Sequence, residues 1–156
     1  MPALPTGKYT AFDIFFASSS APGVNPYSAR QLRGTLHPID AAQGSNHLAR
    51  TVNGTLIDIS APQMRKYQLD IAGSDDAPPA LDGLWVGMMV TVHSLVEIAF
   101  LTSGGSPART PVGGSTRTEG DYTYYRPQFT MMVASYQIES EEWAANVPWS
   151  LTLEEV

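Results

Sequence analysis

The alternation that closes the chain constrains its fold more than any other feature. Val147, Trp149, Leu151 and Leu153 take every second position, with Ser150, Thr152 and Glu154 between them. Only an extended strand puts residues i and i+2 on one face, so this segment predicts a strand half-buried against a core. The same period recurs upstream. Tyr9 to Phe16 sets Phe12, Ile14 and Phe16 on one face with Asp13 opposite, Gln31 to Ile39 alternates more weakly, and Tyr67 to Ile71 resumes through Leu69. Leu84 to Leu101 is the longest apolar run, with Val86, Met88, Val90 and Val92 on one face and a looser pattern around Ser94. Its β-branched content and Gly87 favour one long, bulged strand over a helix. Tyr122 to Tyr125 and Phe129 to Ile138 add two more strands, with Pro127 at an edge or bulge. Eight or nine short strands without a helix predict an all-β protein, an antiparallel β-sandwich or barrel.

Asn53-Gly54 separates two strand-like runs between Leu48 and Ile59. Asn-Gly suits the two positive-φ positions of a type I′ turn, which predicts a tight hairpin with Val52 facing Thr55, Arg50 facing Ile57 and Leu48 facing Ile59. The same residues form a glycosylation sequon, Asn53-Gly54-Thr55, which the turn accounts for fully.

A third feature is a polar stretch, Ser103 to Gly120, rich in Gly, Ser, Pro and Thr, with Val112 its only large apolar residue. Such a segment has little apolar surface to offset the entropy of ordering it, so a long mobile loop is expected. Loops of this length inside compact domains are usually functional. It is therefore the expected assembly arm of a single domain spanning residues 1–156. The expected interface residues are Arg109, Val112 and Arg117 on the arm and Tyr122, Tyr124, Tyr125 and Arg126 at its foot, because Tyr and Arg so often anchor interfaces.

Charge narrows the partners. Nine basic against fifteen acidic residues give a formal charge of −6, and Lys8 and Lys66 are the only lysines. That balance opposes binding to nucleic acid or to an anionic membrane, so no specific nucleic acid and no membrane are expected. No apolar run is long enough to cross a bilayer as a helix, and the first residues lack the layout of a signal peptide, so synthesis in the cytoplasm is expected. There are no cysteines, which excludes disulfides and thiolate metal sites.

No catalytic motif stands out. His37, His47 and His93 lack metal-ligand spacing, and the Gly-Gly-Ser triplets at Gly104 and Gly113 lack the Lys-Ser/Thr of a phosphate loop. Asp75, Asp76 and Asp82 could offer oxygens to calcium, but without the ladder of an EF-hand they read as a solvated turn. Glu139, Glu141 and Glu142 read the same way. No cofactor is expected, and the chain is expected not to be an enzyme. Trp85 with Tyr122, Tyr124 and Tyr125 could form a sugar-stacking platform, which makes a carbohydrate- or small-ligand-binding β-sandwich an alternative.

Three stretches give the chain a likeness to a known class. Arg50-Thr51-Val52-Asn53-Gly54-Thr55-Leu56-Ile57-Asp58-Ile59, Pro79-Ala80-Leu81-Asp82-Gly83-Leu84-Trp85-Val86-Gly87, and the ending from Tyr125-Arg126-Pro127 to Trp149-Ser150-Leu151-Thr152-Leu153-Glu154-Glu155-Val156 resemble small structural proteins of tailed bacteriophages. The resemblance covers about a third of the chain and carries no functional residue across. It implies a virion subunit on the tail side (tube, adaptor or tail tip) that assembles into symmetric homo-oligomers beside other virion structural proteins. A capsid decoration or cement protein is the alternative within that class. Tube subunits commonly flank their sheet with a helix, which this sequence does not supply.

Overall fold

The computed structural model describes residues 13–16, 29–39, 48–59, 65–75, 77–143 and 146–156. Eleven strands and no helix occur among the described residues: β1 (Asp13–Phe16), β2 (Ala29–Pro38), β3 (Leu48–Arg50), β4 (Leu56–Asp58), β5 (Tyr67–Asp75), β6 (Met89–His93), β7 (Ile98–Leu101), β8 (Arg117–Glu119), β9 (Tyr122–Tyr125), β10 (Gln128–Ile138) and β11 (Val147–Glu155). The protein is all-β. Six strands make an open antiparallel sheet in the order β1-β6-β10-β11-β5-β2, which does not close into a barrel. Phe12, His47 and Asp76 lie outside the described residues.

Period-two burial builds the core on one face of this sheet. Ile14, Val90, Val92, Phe129, Met131, Val133, Leu69 and Ile71 join Trp149, Leu151 and Leu153 there, each no more than 3% exposed. Leu81 and Leu84 come from the connection between β5 and β6 and complete the cluster, with Leu95 and Val96 packed against it. β2 tolerates Gly34 because Leu95 fills the space above it: a Cβ there would lie 2.9 Å from the Leu95 side chain. Asp75, expected in a solvated turn, is instead the last residue of β5 opposite Val147 and is 2% exposed.

The expected single strand over Leu84 to Leu101 is two strands. Trp85–Met88 forms a turn closed by the Met88 amide on the Trp85 carbonyl, with Gly87 at φ +91° in the position a type II turn reserves for glycine. The alternation through Val86 is lost there, leaving Val86 66% exposed. Downstream, buried Ser94 interrupts the run. Its hydroxyl accepts from the Val96 amide at 3.0 Å while its own amide donates to the Pro127 carbonyl. A side chain that binds local backbone in this way competes with the ladder. The ribbon of β6 and β10 bends at this point and continues as β7 paired with β9, and β8 joins to make a three-stranded sheet.

The hairpin expected at Asn53-Gly54 is present, but its register differs by one. Arg50 faces Leu56, Ala49 faces Ile57 and Leu48 faces Asp58. The Gly54 amide bonds the Thr51 carbonyl, and Thr51 and Thr55 pair around a three-residue loop in which only Gly54 needs φ +80°. A turn followed by one left-handed glycine replaces the expected two-residue turn. A slip of one residue sends every side chain to the other face.

Candidate functional site

The Ser103–Gly120 stretch is laid against the domain, and its last residues, Arg117–Glu119, are strand β8. What the expectation of a free arm missed is the number of polar tethers. Tyr125 is 1% exposed, and its hydroxyl accepts from the Ala108 amide at 3.1 Å and the Arg109 amide at 3.3 Å. Val112 is buried, with its amide on the Arg126 carbonyl. The Ser115 hydroxyl donates to the Val112 carbonyl at 2.7 Å and accepts from the Arg126 amide at 3.2 Å. The Gln128 amide donates to Thr110, and Pro111 bridges Pro127. Backbone groups with partners can stay ordered without apolar burial.

Two arginines fasten the segment at its ends. Arg109 grips both carboxylate oxygens of Glu155, with Nη2 to Oε2 at 2.9 Å, and its guanidinium lies 5.2 Å from the centre of the Tyr67 ring. The Glu155 side chain is 11% exposed, and its Oε2 also accepts from the Tyr67 amide at 3.0 Å. Hydrogen bonding to Glu155 pushes the Arg109 pKa further above its ordinary value, against the opposing effect of burial. Arg117 sits 4.3 Å over the Tyr124 ring, donates to Glu97 at 2.7 Å and pairs with Glu119. Glu97, and after it Glu119, raise its pKa likewise. Neither guanidinium can be neutralised in any pH range where the protein stays folded. A shallow groove of about 560 Å³ runs between Pro107–Pro111 and Gln128–Thr130, with Glu155 on its wall.

The seven expected interface residues therefore divide. Val112 and Tyr125 are buried, and Arg109, Arg117, Tyr124 and Arg126 are half-buried with partners inside the chain, Arg126 reaching the Ser94 carbonyl. Tyr122 alone among the seven is exposed, at 51%, beside Leu101 across the β7–β9 pair. The tyrosines do not form one platform. Tyr122 and Tyr124 share a face by strand period, Tyr125 takes the other, and Trp85 stands at the far end of β6.

On the solvent face of the main sheet, His37, Gln68, Asp70 and Thr152 form a polar cluster. Asp70 Oδ2 lies 2.9 Å from His37 Nε2, and Oδ1 accepts from Thr152 Oγ1 at 2.9 Å and Gln68 Nε2 at 3.1 Å. His37 Nδ1 is 3.1 Å from the Pro38 carbonyl, so both ring nitrogens face acceptors and both contacts are satisfied only by the imidazolium. Burial raises the Asp70 pKa, but the bonds from His37, Gln68 and Thr152 and the His37 charge outweigh it, and the net shift is downward. A depressed carboxylate stabilises the fold above its unfolded value, near 3.8, and loses that contribution as pH falls through the folded value. Thermal midpoints should fall below pH 4, and Asp70→Asn should flatten the dependence there; an unchanged slope would remove Asp70 from the acid response.

Comparison with protein families, curated proteins and solved structures finds no match to this chain. Among the described residues no three His, Asp or Glu side chains come together as a metal site, and no helix is long and apolar enough to cross a membrane.

The surface that stands out is the β3–β4 hairpin. Leu48 and Leu56 are 53% and 52% exposed on one face, Ile57 and Ile59 are 41% and 61% exposed on the other, and Val52 at the turn is fully exposed. Among the described residues its two strands pair only with each other. From its sequence this segment is expected to be a tight hairpin, with no interface role assigned to it. The sequence signal for an interface is the adjacent pair Leu56-Ile57, which no strand can bury on a single face.

Proposed function

We propose that this chain is a non-enzymatic structural subunit of a tailed-bacteriophage virion that works by assembling with copies of itself. The observation that carries the assembly half of this reading is the β3–β4 hairpin, which exposes apolar side chains on both faces. A lone two-stranded hairpin is marginal in water, and exposed apolar clusters mark interaction surfaces. The virion half rests on the likeness of the three stretches named above. The hairpin takes over the clasping role that the sequence had suggested for Ser103 to Gly120, because the tethers of that segment hold it to its own domain. The tail side is the proposed place, and a capsid decoration protein is the second reading within the class.

Light scattering with negative-stain microscopy tests the reading. Wild-type protein should exceed the 16.8 kDa of one chain and form rings or stacked tubes for a tail component. A compact trimer or dimer without rings would favour decoration, and a monomer at every concentration would remove self-assembly. Replacing Val52, Leu56 and Ile57 together with serine should give a folded monomer, since all three side chains already face solvent. Assembly that survives this change would move the interface elsewhere.

A further inference from the structure

Two exposed apolar segments, the β3–β4 hairpin with the residues that follow it and the turn after β10, differ in charge. Residues 48–66 hold Arg50, Arg65 and Lys66 against Asp58 alone, a formal +2 in a chain of −6, which leaves −8 on the rest. The chain carries no Lys or Arg beyond Arg126. The turn after β10 concentrates the negative charge: Glu139, Glu141 and Glu142 are exposed there, between Ile138 at 40% and Trp143 at 96%. One segment is thus an apolar arm with net positive charge, and the other an apolar turn with negative charge.

Topology keeps them apart within one molecule. Pro38 at the end of β2 pairs with Tyr67 at the start of β5, and Arg65, two residues before Tyr67, holds the base of the hairpin at this end through its ion pair with Asp58. The acidic turn leaves the opposite end, where Val147 pairs with Asp75. Nine residues of β5 separate the two by roughly 26 Å, while the hairpin reaches about 17 Å from base to tip at ~3.3 Å per residue. With its base held there by Arg65, the hairpin is too short to reach the turn of its own chain.

We propose that the β3–β4 arm docks on the Ile138–Trp143 turn of a second copy, so that the subunits join end to end. This rests on the self-assembly reading above and specifies its contact. The two patches differ, so the contact is heterologous, and repeated it must close as a ring or grow as a filament. Apolar contact supplies the attraction, and opposite charges set the direction by penalising arm-to-arm and turn-to-turn encounters. A formal +2 on an acidic chain is too small a basic footprint for nucleic acid.

A charge swap tests it. One variant carries Arg50→Glu, Arg65→Glu and Lys66→Glu; the other carries Glu139→Lys, Glu141→Lys and Glu142→Lys. Circular dichroism and thermal melts first establish that each is folded. By sedimentation velocity each variant alone should self-associate about tenfold more weakly than wild type or worse. Mixed in equal amounts they should assemble again, because each negative arm then meets a positive turn. Variants that assemble like wild type would overturn the arm-to-turn contact and leave self-assembly standing. Two weakened variants without rescue on mixing would likewise overturn it, placing the arm on another surface. Wild-type protein that stays monomeric throughout would remove the underlying reading as well.

Discussion

Phe129→Ala is expected to destabilise the protein by about 3–5 kcal/mol, the usual cost of deleting a buried phenyl ring. Phe129 is 2% exposed in the central strand β10, beside Val92 of β6, and its ring meets that of Tyr67 at 5.9 Å. The consequences run beyond the cavity. Tyr67 presents its face to the Arg109 guanidinium, and Arg109 grips Glu155. Loss of the ring beneath Tyr67 should therefore loosen the segment that Arg109 fastens. Urea unfolding would give the stability change, and hydrogen exchange at the Ala108 and Arg109 amides would report the loosening. A loss below about 1 kcal/mol would mean that neighbours collapse into the space, against the wide range seen for such deletions.

Glu155→Ala is expected to cost about 2–3 kcal/mol, less than the 3–5 kcal/mol of a fully buried pair because Arg109 keeps some access to water. One carboxylate serves three donors: two on Arg109 and the Tyr67 amide. Its removal leaves the amide without that acceptor and the guanidinium without its counter-charge. Glu155→Gln keeps one carbonyl oxygen and should cost less. A double-mutant cycle with Arg109→Ala isolates the pair. Strictly additive losses in that cycle would show that the Arg109–Glu155 pair adds nothing to the other tethers of the segment.

Much of the fold was legible because burial in a strand has period two. Ile14, Leu69, Val90, Val92, Leu151 and Leu153 could be placed on the core face from spacing alone, and the structure buries them all. Errors came where local backbone bonds compete with the ladder. Gly87 and Ser94 break one apolar run into a turn and two strands, and Gly54 absorbs a residue that shifts the hairpin register. Both effects depend on a single hydrogen bond or dihedral, which residue type suggests without deciding.

The site was less legible, for a different physical reason. Composition marked Ser103 to Gly120 as polar and poor in apolar surface, which is true, yet its order comes from acceptors far away in sequence. Tyr125 Oη, the Arg126 carbonyl and Glu155 are those acceptors, and no local pattern announces them. The same holds in reverse for the hairpin. Its sequence fixes neither what covers Leu48, Leu56, Ile57 and Ile59 nor whether anything does. The sequence alone determined the class, the core face at Ile14, Leu69, Val90, Val92, Leu151 and Leu153, the hairpin's place and the charge of each segment, because these follow from spacing and residue chemistry. Only the tertiary structure decided which strands pair, which polar segment is tied down and which apolar face stays open, because those depend on contacts between residues that the chain brings together from far apart.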